Sequence, residues 1–194
     1  MSLPLVTILV VVLCQFGFIA IFAFRKRPAD QTTERKRDAA ARNGILLESI
    51  AYAVVWMTGR GQNTTIVPMS FPVQIAVSAF AIGLAVISVW FVHQAVRVLG
   101  KQWAYAARVV EGHQLITHGP YGIVRHPIYS GMFGLLIAVG LAHSRWWAFL
   151  FGVILFLIGT MIRIRSEEKL LRETFGAEFD AYARRVKAVV PGVV

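Results

Sequence analysis

The run EGHQLITHGPYGIVRHPIYSG, residues 111–131, gathers His113, His118, His126, Tyr121, Tyr129 and Arg125 around two Gly/Pro turns. Three histidines raise a metal first. Their spacings of five and eight fit no familiar ligand pattern, HExxH is absent and no cysteine lies nearby, so no metal is expected. A GxSxG nucleophile elbow and a phosphate-cradling P-loop are also missing, which leaves hydrolase and nucleotide triphosphatase readings without support. Singly, each histidine or tyrosine reads as an interfacial anchor, and their density beside the turns is what that reading leaves unexplained. The stretch from Gly119 to Met132 contains no acidic residue. A second polar group, Arg163 to Glu168, follows a later apolar run. Arg163 and Glu167 are four apart and share one face of a helix. Alone, they would be an ordinary ion pair with Arg163 snorkelling at a membrane edge, although arginine before glutamate is the less favourable order.

The elements that must position these groups are apolar. Of 194 residues, 57% are hydrophobic and 15% charged, and mean hydropathy is +0.62, the composition of a membrane protein. Leu3 to Phe24 is 22 residues without a charge, enough to cross a hydrocarbon core of about 30 Å. The cluster Arg25-Lys26-Arg27 follows this run instead of preceding it, and no small-residue cleavage site is evident, so a retained span is expected rather than a signal peptide. Residues 71–96 form a second clear span, and 44–58, 128–142 and 146–162 are shorter runs. The last two are joined by His143, Ser144 and Arg145, which predicts a tight antiparallel hairpin, with Gly131, Gly134 and Gly140 letting its backbones approach. Cys14, the single cysteine, excludes a disulfide within the chain.

Counting lysine and arginine tests the doubtful run 44–58, which contains Glu48. If it spans, 25–42 contributes 7, 97–125 contributes 4 and 163–187 contributes 7 on one face, against Arg60 and Arg145, or 18 to 2. If it does not, the division is 11 to 9. Only five crossings obey the positive-inside rule. The fold class expected is therefore all-α, a single integral membrane domain over 1–194. Its N-terminus lies outside; the 25–43 loop, the 97–127 segment and the C-terminal tail are cytosolic. Glu48 reads as a structural polar contact or a residue near the interface rather than as a catalytic group. The charged 25–43 loop lacks aromatic interleaving and apolar periodicity, so contact with anionic lipid is expected and nucleic acid is not. Leu171, Phe175, Phe179, Tyr182 and Val186 recur at helical spacing, predicting an amphipathic C-terminal helix that acts as a lid or buttress, with a local break expected at Gly176 and an end at Pro191. Asn63-Thr64-Thr65 matches a short glycosylation sequon.

HGPYGIVRHPIYSGMF, followed by RIRSEEKLLRETFGAEFDAYARRV and Pro191, resembles the C-terminal region of the isoprenylcysteine carboxyl methyltransferase family, as a short, prokaryotic-type member. The resemblance covers residues 103–191 and rests on RHPxYxG, on Arg163/Glu167/Glu168 and on FGxxFxxYxxxV. Parts are shared with phospholipid N-methyltransferases and NADPH-dependent sterol reductases. The resemblance implies a membrane methyltransferase whose S-adenosylmethionine pocket is built from 103–129 and 163–191 and yields S-adenosylhomocysteine. Cofactor contacts would fall on His113, Gln114, Leu115, Ile116, Tyr121, His126, Pro127, Ile128, Tyr129 and Glu167, and Arg163 would face the acceptor. A further family contact falls on Ala106, so here it is either missing or made by Tyr105 or Arg108. The acceptor implied is lipophilic, an isoprenylated cysteine or prenylated peptide taken from the membrane, with no obligatory protein partner. A sterol reductase would need extra basic residues for the NADPH 2′-phosphate, and a transport subunit would line the bilayer midplane with polar groups. The sequence offers neither.

Overall fold

A computed structural model describes residues 2–23, 34–37, 40–61, 64–100, 108–110 and 114–190. Apolar runs become helices α1 (Leu3–Ala23), α2 (Ala40–Met57), α3 (Phe71–Leu99), α4 (Pro127–Ala142) and α5 (Trp146–Phe175), followed by the short α6 (Ala177–Arg185). Among the described residues, α1, α3 and α5 are long and apolar enough to cross a membrane. The 25–43 region, read from sequence as a loop, carries a strand β1 (Glu34–Arg37), paired antiparallel with β2 (Arg108–Val110). That pairing joins two segments whose sequences show no strand periodicity. The sequon residue Asn63, the Ala106 position with Tyr105, and Pro191 lie outside the described residues.

The centre of the molecule is α4, which touches α1, α2, α3 and α5. Its 16 residues reach only about 24 Å at 1.5 Å per residue, but Leu135, Leu136 and Val139 are buried against Val11, Val55, Ala85 and Phe156 from the four surrounding helices. Small residues set the spacing between helices, as expected where lipid supplies no hydrophobic drive for helix association. Gly140 lies against Phe149 across the α4–α5 turn, as the hairpin reading expects. Gly131 and Gly134 do not serve that hairpin. They face α3, where a Cβ on Gly131 would come 3.0 Å from the Ser88 carbonyl oxygen. The main partner of α5 is α2. A Cβ on Gly44 would lie 2.7 Å from the Gly159 carbonyl oxygen, and one on Gly159 would lie 2.8 Å from that of Gly44.

The α4–α5 turn is stapled to the end of α2. Gly59 bridges Ser144, and the Arg60 amide donates to the His143 carbonyl at 2.9 Å. The Arg60 guanidinium donates to the carbonyls of Leu141 (2.5 Å), Thr64 (2.9 Å) and Ser144, so a cation satisfies the orphan carbonyls at the α4 C-terminus. Burial pulls the Arg60 pKa down to about 10. At the opposite end, α5 continues well past the apolar run ending at Ile162, because SEEKLLRE is made of good helix formers. Gly176, at φ +51°, ends it, and α6 buries Phe179 and Tyr182 beyond the break.

Candidate active site

Gly119, at φ +61°, and Pro120 turn the chain into a short 3-10 segment, 119–122, that buries Tyr121. The Tyr182 hydroxyl of α6 donates to the Tyr121 carbonyl at 2.6 Å and fixes this turn. His126 is the residue before α4, with Pro127 pre-set for the first helical turn. One turn on, the Tyr129 ring stacks on the His126 ring, centroids 5.6 Å apart and planes 23° from parallel.

The acids for these rings come from α5. Tyr129 Oη donates to Glu167 Oε1. His126 Nδ1 lies 3.4 Å from Glu167 Oε2, and Nε2 lies 3.1 Å from Glu168 Oε1. Arg125 donates Nε (2.8 Å) to the same Glu168 oxygen, with a second nitrogen at 2.7 Å. Burial opposes a charge on His126, but its hydrogen bonds and ion pairs with Glu167 and Glu168 outweigh that and raise its pKa above the ordinary 6.5. The Arg163 guanidinium lies over the Tyr129 ring, 4.6 Å from its centroid. Its NH1 donates to Glu48 Oε2 of α2 at 2.6 Å, and Thr160 Oγ1 donates to the other Glu48 oxygen at 2.9 Å.

The chain after α6 straps this wall in place. Carbonyls of Lys187 and Ala188 accept the Arg125 and His126 amides at 2.8 and 2.9 Å, and the Val189 carbonyl accepts the Ser130 hydroxyl at 2.6 Å. Arg125 also donates to the carbonyls of Ala183 (3.1 Å) and Val186, so it ties together α5, α6 and the strap.

Of the residues singled out from sequence, His126, Tyr129, Arg163 and Glu167 come together. Pro127 is buried beneath them and Ile128 is half-buried. Tyr121 is buried in the preceding turn. Gln114 is exposed, and Leu115 and Ile116 are half-buried, in irregular chain leading to that turn. His113 lies outside the described residues. Four members escaped sequence reasoning as site residues: Arg125, Glu168, Glu48 and Thr160. The first two stand within the quoted motifs. Glu48 gave one signal, an acid within an apolar run.

The chemistry available is a half-buried carboxylate, Glu167, held by two buried rings at the head of α4, next to a guanidinium held by a second acid. Residues 76–178 match the model of the phospholipid methyltransferase family. A probable protein-S-isoprenylcysteine O-methyltransferase of Oryza sativa subsp. japonica is 35% identical over 102 residues, 50% of this chain and 52% of the relative. Protein-S-isoprenylcysteine O-methyltransferase B of Arabidopsis thaliana is 30% identical over 122 residues, 60% of each. Nickel-cobalt-cadmium resistance protein NccN of Alcaligenes xylosoxydans xylosoxydans is 32% identical over 114 residues, 57% of this chain and 52% of the relative. The matches span 52 to 60% of these relatives' lengths. Every residue of the cluster except Glu48 falls inside the family match.

Proposed function

The chain belongs to the phospholipid methyltransferase family, and on that premise we propose that it is an S-adenosylmethionine-dependent membrane methyltransferase. Its acceptor is the carboxylate of an isoprenylated cysteine or a similar lipophilic thioether acid. The observation that carries this reading is the contact of Tyr129 and His126 with Glu167, directly beside Arg163.

The donor set suits the cofactor. The Glu167 side chain keeps 26% of its surface exposed while held by Tyr129 and His126, so a carboxylate edge is available to a sulfonium cation. His126, Pro127, Ile128, Tyr129 and Glu167 would hold it, with His113, Gln114, Leu115, Ile116 and Tyr121 completing the pocket. S-adenosylmethionine, when bound, supplies a methyl group already activated on sulfur. The protein's task is then alignment and exclusion of water, which needs no catalytic triad. A carboxylate acceptor needs no general base either, but it does need a cation to orient it. Arg163 offers a planar fork for that role.

Helices α1 to α5 are read as five crossings of one membrane domain, with the N-terminus outside and the site cytosolic, a reading that the 18 to 2 charge division supports. The packing of α2 supports counting it. Gly59 meets Ser144 at one end of α5, and Glu48 meets Thr160 and Arg163 towards the other, so α2 runs along α5. The acceptor reaches Arg163 from the bilayer.

Calorimetry in detergent tests the cofactor, and incubating membranes with labelled S-adenosylmethionine tests the acceptor. Wild-type protein is expected to bind S-adenosylhomocysteine. Glu167→Ala, removing a charge-assisted contact, should weaken binding at least about tenfold. No binding by the wild type would overturn the reading. The family match favours one alternative acceptor, a phospholipid amine, and label recovered in phospholipid rather than prenylcysteine would select it.

A further inference from the structure

Glu48 lies outside the family match, in the helix with the weakest claim to be a span, and yet it is 3% exposed and uses both carboxylate oxygens. One holds Arg163 NH1 and the other is steadied by Thr160. The glycine seam makes this reach possible. A Cβ on Gly159 would stand 3.2 Å from Glu48 Cγ, and one on Gly44 would stand 3.2 Å from Arg163 Cδ, so both side chains lie in space that the two glycines leave open. The Arg163 stem thus lies in room left by Gly44, while its guanidinium is held by Glu48 at NH1 and by the Tyr129 ring on its face. Tyr129 is in turn bound to Glu167. A single chain of contacts therefore joins α2 to the cofactor wall.

We propose that Glu48 is a positioning residue that acts through Arg163, fixing the guanidinium so that the acceptor carboxylate is presented in line with the donor. The inference rests on the methyltransferase reading above. Stability alone does not account for the pair, since apolar replacements of buried ion pairs are often neutral or stabilising. Turnover does give it a purpose. The acceptor arrives as an anion and leaves as a neutral ester, so a lone buried arginine would be uncompensated before and after each cycle. Glu48 compensates Arg163 in both intervals, and the acceptor is left to be held by orientation rather than by unbalanced charge.

Glu48→Gln keeps the shape and removes the charge. In reconstituted protein with S-farnesylcysteine as probe, kcat is expected to fall about 10- to 100-fold, as for a misaligned reacting pair. The acceptor KM stays level or drops, because an uncompensated Arg163 attracts a carboxylate at least as well, and S-adenosylhomocysteine affinity is unchanged. Thr160→Val, which only unsteadies Glu48, should give the same pattern more weakly and covers the case in which Glu48→Gln fails to fold. Unchanged kcat in these variants, or parallel loss of kcat, cofactor affinity and thermal midpoint, overturns the positioning role. If the wild type does not methylate the probe, the acceptor reading falls. The positioning role is then decided by the Arg163 Nε resonance in NMR: one sharp position in wild type that averages in Glu48→Gln supports it, and no difference overturns it.

Discussion

His126 sits between two carboxylates, Glu167 at 3.4 Å and Glu168 at 3.1 Å, with Arg125 sharing the second and the Tyr129 ring stacked alongside. Its folded-state pKa is raised above 6.5. A raised pKa stabilises the fold fully below the unfolded value of about 6.5, and that contribution is lost as pH climbs through the folded value. The gap in thermal midpoint between wild type and His126→Gln in detergent should therefore be widest near pH 6 and shrink as pH rises. A gap independent of pH would mean that folding leaves the His126 pKa unshifted, and a gap that widens as pH rises would mean that His126 is held neutral in the fold. The rings and Glu167 were legible in the sequence because their motifs carried the family resemblance. Glu48 was legible as a polar contact, but its partners in α5 were not, because no spacing rule connects them to it.

The α2–α5 seam decides whether Glu48 can reach that partner. Gly159→Leu would push a branched side chain into the Gly44 carbonyl, Leu47 and Glu48, at a cost of about 1–3 kcal/mol of overpacking. It should lower the thermal midpoint and abolish methyl transfer, whereas Gly83→Ala on α3, with no atom within 4 Å of the added carbon, should do neither; activity and midpoint measured side by side check this. Helix positions were readable from apolar runs, since burial in lipid selects composition before packing. Helix partners were not. Gly131 and Gly134 are small for the sake of α3, and a glycine in a one-dimensional pattern does not name the surface it admits. Where α5 stops was readable, because Gly176 interrupts the amphipathic pattern that carries the helix past its hydropathy.

At the scale of the whole molecule, the charge asymmetry makes a topological prediction. With Cys14 replaced by serine, Ser70→Cys should react with an impermeant maleimide in intact cells, and Thr174→Cys only after permeabilisation; labelling of both from outside would refute the five-crossing arrangement. The strands β1 and β2 show what neither charge nor hydropathy encodes, since they pair segments remote in sequence over only a few residues. The strap after α6 has a consequence of another kind. Lys187, Ala188 and Val189 serve the head of α4 through carbonyl oxygens, which every amino acid possesses. Apart from Ala188, whose side chain is buried, and Val189, which packs against the cluster of Tyr129, Ile164 and Ala188, this segment is constrained in its count and not in its spelling. Substitutions there leave the acceptors where they are, while deleting one residue moves every acceptor past its donor, so insertions and deletions are the changes this stretch cannot absorb.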